Sequence, residues 1–200
     1  MSQINPTRVI SFMGVDGSGK STLIKLIKKK FKNKIKIKYL HLRPYIFLTD
    51  KRTVIKEPHI QKKKASKLFS FSKLLIWLVI YRLFFFYNLK KKNQIIIFDR
   101  YVHDILIDPV RYRFNLSRNI IKKLIKFFPN PNLWIILKVN PSVAYNRKKE
   151  ISLKETKKQC IKYLKFAKTK KNSIVINTNK NIKQSTIMIV KEIKKIYEYN

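Results

Sequence analysis

Two hundred residues, 45% of them hydrophobic, suffice for one globular domain with a sizeable core, and 47 Lys and Arg against 10 Asp and Glu give a formal net charge of +37. A single cysteine, Cys160, excludes an internal disulfide, and three scattered histidines, His41, His59 and His103, lack metal-site spacing. The opening MSQINPTR has no apolar signal region, so the expected location is cytoplasmic.

The first apolar run, 9–13, is strand-like and leads into Gly14-Val15-Asp16-Gly17-Ser18-Gly19-Lys20-Ser21-Thr22. All three glycines of the chain fall in this window, where average usage of about 7% would scatter about 14 along the sequence. Gly14, Gly19, Lys20 and Ser21 satisfy G-x-x-x-x-G-K-[ST], the phosphate-cradling P-loop, and a helix-like run at 21–31 follows as that motif requires. Glycine admits positive φ and removes Cβ atoms, so successive N–H groups turn inward around an anion beside the positive end of the helix. Lys20 is expected to reach the β- and γ-phosphates of ATP, and the Ser21 hydroxyl to ligate Mg²⁺. An acid in such a loop repels phosphate, so Asp16 is expected to face an acceptor hydroxyl or a metal-bound water instead.

A strand-like run at 35–42 ends in Arg43-Pro44, where the arginine makes a candidate phosphate fork. Residues 65–89 read as a long buried core helix: Arg82 interrupts the segment, and the longest uncharged run, 74–81, falls well short of the roughly 20 apolar residues of a membrane span. The next strand, 94–98, ends in Asp99-Arg100-Tyr101, a Walker-B-like pattern that puts Asp99 near the Mg²⁺ and offers Arg100 as a second phosphate fork. Asp104 and Asp108 follow within ten residues in a chain with few acids, consistent either with a local need for negative charge or metal, or with helix capping. Helical periods at 116–127, 141–149, 154–168 and 182–197 alternate with strands at 133–139 and 173–176; Cys160 lies on one of these helices as a structural thiol. Strands alternating with helices predict a P-loop NTPase three-layer sandwich, with a mostly parallel five-stranded sheet and helices on both faces. Ligands are then expected at the carboxyl ends of the strands.

FMGVDGSGKST at 12–22 resembles the P-loop of the thymidylate kinase family, which carries an acid at the Asp16 position, and FDRY at 98–101 resembles its Asp-Arg-Tyr signature. FDRYVHDILIDPVRYR is similar to a bacterial thymidylate-kinase-like branch, and PSVAYNRKKE at 141–150 resembles the stretch entering a basic lid. The resemblance implies one domain over 1–200 with a small basic lid around 147–155, and ATP-dependent, Mg²⁺-assisted phosphoryl transfer to a nucleoside monophosphate. It further implies that Arg43 and Arg100 hold the acceptor phosphate, that Asp16 faces the acceptor sugar, and that Arg147 closes over the transferring group. Dimerisation through the long apolar helix is implied in the same way. The chain departs from housekeeping members after Asp-Arg-Tyr, where VHDILIDPVRYR replaces the usual serine and glutamine, so Arg111 and Arg113 become candidates for contacting a different acceptor.

Two rival readings follow. One keeps a P-loop kinase but changes the acceptor to a nucleoside or a sugar metabolite; the other is a degenerate kinase fold serving as a basic nucleic-acid or partner-binding module. The charge supports the second only weakly. Lys outnumbers Arg 38 to 9, and the abundant residues are those with A/T-rich codons, so compositional drift accounts for the excess better than a selected groove. Nucleic-acid binding is expected to be at most nonspecific and salt-sensitive.

Overall fold

Period-two alternation fixes which way each strand faces. In β1 (Arg8–Met13), Ile10 and Phe12 enter one core while Val9 and Met13 enter another, and all four are buried. The computed structural model describes residues 5–32, 35–42, 65–179 and 181–198. Within them the chain runs β1, α1 (Lys20–Phe31), β2 (Lys36–His41), α2 (Lys67–Leu89), β3 (Gln94–Asp99), a 3-10 turn (Val102–Leu106), α3 (Arg118–Ile125), β4 (Leu133–Lys138), α4 (Pro141–Arg147), α5 (Leu153–Lys168), β5 (Ser173–Asn177) and α6 (Ile182–Glu198).

The five strands form one all-parallel sheet in the order β2-β3-β1-β4-β5. Helices α1 and α6 cover one face, where Leu23, Ile27, Ile189 and Ile193 meet Ile10, Phe12, Ile97 and Ile135. On the other face α2, α3 and α5 pack through Trp77, Tyr81, Ile121, Ile125 and Tyr163 against Ile96, Phe98, Trp134 and Ile136. Each large side chain so buried contributes roughly 1.5–3 kcal/mol. This is the predicted three-layer α/β arrangement. Phe12 pairs with Asp99 in register, so the loop leaving β1 and the end of β3 emerge side by side at the carboxyl edge.

Local chemistry sets the helix boundaries near that edge. The Asn140 side chain caps α4 by accepting from the Ser142 N–H at 3.0 Å, with Pro141 at the first helical position. Lys148 then turns extended and ends α4. Ser152 restarts the chain as α5 by accepting from the Glu155 N–H at 3.2 Å. The connector 148–152 therefore sits between two capped helices.

The long helix departs from the sequence expectation of a buried core element. Ser70, Leu74, Trp77, Tyr81, Phe84, Phe85 and Asn88 face inward, but Leu68, Phe69, Ile76, Val79, Leu83, Phe86 and Tyr87 are exposed. By length and composition α2 could cross a membrane, yet its inner face packs on the sheet, with Tyr81 stacked on Phe98 at 5.7 Å and its hydroxyl donating to the Leu42 carbonyl at 2.7 Å. One face of α2 suffices for the core, and the apolar residues of its other face are exposed.

Candidate active site

The loop 14–19 joins β1 to α1 with positive φ at Gly14, Gly17 and Gly19, a geometry that can cradle an anion. Gly19 takes φ +89° as the N-cap of α1 with no side-chain cap, and the first turn carries no acid, so the leading amides of α1 are left for a ligand. Gly17, at φ +77°, serves a different need: a Cβ there would lie 2.3 Å from the Ala144 carbonyl oxygen, because α4 packs directly on the loop. Val15 and Ser18 are buried in the loop, while Ser21 and Thr22 are exposed on the first turn of α1.

Lys20 is only 7% exposed. Its ammonium donates to the Gly14 and Val15 carbonyls, each at 2.8 Å, and approaches Ser18 Oγ at 3.5 Å. Burial, reinforced by Arg100, pushes its pKa down to about 8, against the pull of Asp16, Asp99 and Asp104.

The three residues of Asp-Arg-Tyr divide their work. Asp99 ends β3 with one oxygen accepting from the Tyr39 hydroxyl at 3.1 Å, while Oδ1 is buried without a hydrogen-bond partner among the described residues. An orphaned carboxylate oxygen beside a phosphate cradle suits a cation. Arg100 turns away at φ +70° and is 2% exposed. Tyr101 is a core anchor, packed edge-on to Tyr81, Phe98 and Trp134, with its hydroxyl donating to the Pro129 carbonyl at 2.6 Å.

Asp16 is the hub between donor loop and strand end. Arg100 Nη2 donates to its Oδ1 at 2.6 Å, and Arg111 Nη1 donates to its Oδ2. Burial opposes its charge, but Arg100, Lys20, Arg111 and Lys148 overcome that cost and hold the carboxyl well below the usual carboxylate range. It is therefore an anion that two guanidinium groups share. Arg111 also faces Glu150 at 3.5 Å, and Glu150 pairs with Lys148 at 2.6 Å, so the connector 148–152 reaches the same cluster. Arg147 donates to the Gly17 carbonyl at 3.3 Å.

The structure thus gathers Gly14, Asp16, Lys20, Asp99, Arg100, Arg111 and Arg147 around one edge, while Arg43 lies outside the described residues. Arg82, the charge that interrupts the apolar run of α2, donates to the Phe127 carbonyl just beyond α3. His103 is structural: it lies among Tyr101, Trp134 and Phe166, Lys170 Nζ is 3.3 Å from its Nε2, and burial with that ammonium pushes its pKa down to about 3. Sequence reasoning missed Tyr112, Tyr163 and Glu150. The signal that was available is the scarcity of acids: of ten in the chain, Asp16, Asp99, Asp104 and Glu150 stand in this cluster.

Against that geometry, the sequence model of the thymidylate kinase family matches residues 12–189, from the start of the cradle to α6. The chain belongs to the thymidylate kinase family. A curated protein of Sulfolobus acidocaldarius, named "Probable thymidylate kinase", is 27% identical over 188 residues, covering 87% of this chain and 90% of that one. A solved structure of thymidylate kinase from Candida albicans shares the fold, with a TM-score of 0.64 at 16% identity over 96% of this chain and 92% of that one. The family is one of nucleoside monophosphate phosphotransferases, and its match spans every residue of the cluster above.

Proposed function

We propose that this chain transfers the γ-phosphoryl group of ATP to a nucleoside monophosphate, with thymidylate the first acceptor to test. The observation that carries the reading is the double clamp on Asp16, which ties the phosphate cradle to Arg100 and Arg111 on the strand-end side. A cradle built for ATP alone has no use for an acid in its midst; a site joining donor and acceptor does.

The chemistry suits these residues. An oxygen of the acceptor phosphate attacks the γ-phosphorus, the bond from that phosphorus to the β-bridging oxygen breaks, and ADP leaves. The nucleophile is already ionised, so no general base is required, in keeping with Asp16 being held as an anion on two arginines. Loop amides and Lys20 bind the donor phosphates, Lys20 exchanging its bonds to the Gly14 and Val15 carbonyls for phosphate oxygens. Ser21 and Asp99 would hold Mg²⁺, which neutralises charge on the β- and γ-phosphates when bound. Arg100 keeps two N–H groups, on Nε and Nη2, beyond its bonds to the described residues, enough for a grip on the acceptor phosphate. Arg147, with the connector 148–152 as a short basic lid within a single domain, closes over the transferring group and excludes water.

The exposed face of α2 is assigned to pairing with a second copy of this chain. Ile76, Val79, Leu83 and Phe86 recur at helical spacing on a surface with no acids, and an apolar stripe that long is rarely left in water. The half-buried lone thiol, Cys160, suits the reducing cytoplasm.

The test is ADP release from Mg·ATP across nucleoside monophosphates, nucleosides and sugar phosphates, each against a blank without acceptor. The expected result is a rise with a monophosphate. Release with a sugar phosphate alone, or none with ATP bound, contradicts the reading.

A further inference from the structure

Arg100 is held by more than a pocket for a ligand would require. Its Nη2 donates to Asp16 at 2.6 Å, but both hydrogens of Nη1 are committed elsewhere, to Asp104 Oδ2 at 2.7 Å and to the Tyr163 hydroxyl at 2.8 Å. Asp104 is completely buried in the 3-10 turn. The Tyr112 hydroxyl donates to the same Oδ2 at 2.6 Å, and the Tyr163 hydroxyl donates to Oδ1. Both oxygens of Asp104, both tyrosine hydroxyls and Arg100 Nη1 are satisfied, so the cluster differs from the buried ion pairs whose desolvation exceeds their attraction.

The three contributors come from separate parts of the fold. Asp104 follows β3 directly. Tyr112 lies in the segment that packs on α2, where Lys73 Nζ donates to its carbonyl at 2.8 Å and Trp77 meets its ring edge-on at 6.4 Å. Tyr163 is on α5, the helix that begins where the connector 148–152 ends. An arginine is a flexible side chain, and ordering it around a ligand costs rotamer entropy unless it is fixed beforehand.

We propose that Asp104, together with the hydroxyls of Tyr112 and Tyr163, is the positioning device for Arg100, locking its Nη1 so that the remaining Nε and Nη2 hydrogens are presented to the acceptor phosphate. This rests on the acceptor role given to Arg100 above. It makes Asp104 a positioning residue that touches neither nucleotide. It also sets the acceptor-side arginine by a residue of the helix beyond the lid, so the connector is anchored at one flank to the cradle through Gly17 and Ala144 and at the other to Arg100.

Two readouts test it. The first is ¹⁵N spectroscopy of the guanidinium groups without ligand: wild type is expected to show slow rotation of the Arg100 Nη groups, and Tyr163→Phe, which removes one hydroxyl and leaves the ring, faster averaging. The second is steady-state kinetics. Asp104→Asn and Tyr163→Phe are expected to raise KM for the monophosphate by about tenfold and about threefold, with KM for Mg·ATP within about twofold of wild type. Unchanged Nη rotation in Tyr163→Phe overturns the lock. Faster rotation with an unchanged monophosphate KM overturns its link to the acceptor, as does an equal rise in both KM values. If wild type turns over no monophosphate, the acceptor role of Arg100 falls, while the spectrum still decides whether the lock exists. Should Asp104→Asn fail to fold, Tyr163→Phe and Tyr112→Phe carry both measurements.

Discussion

Replacing Gly17 with alanine separates two demands that a glycine can meet. At φ +77° any L residue is strained by roughly 1–2 kcal/mol. The new Cβ also falls 2.3 Å from the Ala144 carbonyl oxygen, with that residue's carbonyl carbon at 3.0 Å and Cα at 3.1 Å. All three are backbone of α4, and Ala144 is fully buried, so the helix has to move away from the loop; overpacking of this kind costs about 1–3 kcal/mol more. Gly19 provides the control, since its φ is +89° but nothing lies within 4 Å of its would-be Cβ. For a chain of this size 1 kcal/mol shifts Tm by about 2–4 °C. Calorimetry without nucleotide is therefore expected to show Gly19→Ala melting a few degrees below wild type, and Gly17→Ala lower again by about 2–12 °C. Arg147 rides on the displaced helix, so Gly17→Ala should also lose phosphoryl transfer. Equal melting of the two variants would show that α4 does not sit on the loop.

Other consequences follow from charge and exposure. Lys20→Ala should lower turnover by about a thousandfold or more, measured as ADP release with acceptor present. In wild type, Lys20 with a pKa of about 8 is charged at neutral pH and loses its proton as pH rises through that value, so Mg·ATP affinity should be flat below pH 7 and weaken by up to about tenfold per unit above 8; a level titration to pH 9.5 would contradict this. His103 stays neutral in the fold down to about pH 3 but titrates near 6.5 when unfolded, so the unfolded chain binds the extra proton and stability falls as pH drops between those values. At pH 5 the cost is about 2 kcal/mol, and His103→Phe should remove that part of the acid loss in urea unfolding compared at pH 7 and 5. A Leu83→Glu, Phe86→Glu double variant should sediment as a monomer where wild type sediments as a dimer, with activity per folded chain as the check on integrity.

The sheet was legible because its strands are short apolar runs between helical periods, and each of the five lies within a residue or two of its expected place. The cradle was legible because a glycine-poor chain concentrates its glycines there, although only the structure separates Gly19, needed for its backbone angle, from Gly17, needed for the approach of α4. The face of α2 was not legible: a helix apolar all round reads as buried, and sequence cannot say that one side is enough for this core. The lock on Arg100 was hidden for a different reason. Tyr163 stands 63 residues from Arg100, and nothing local marks one tyrosine among ten. Asp104 did stand out through the rarity of acids, but sequence left capping and charge balance as equals, and its contact with Arg100 decides for charge.

The fate of the γ-phosphoryl group separates transfer from hydrolysis. ATP labelled at that position, incubated with the chain, Mg²⁺ and a nucleoside monophosphate and then resolved by chromatography, is predicted to yield label in the nucleoside diphosphate. Label found only in inorganic phosphate, at the rate seen without acceptor, would contradict it.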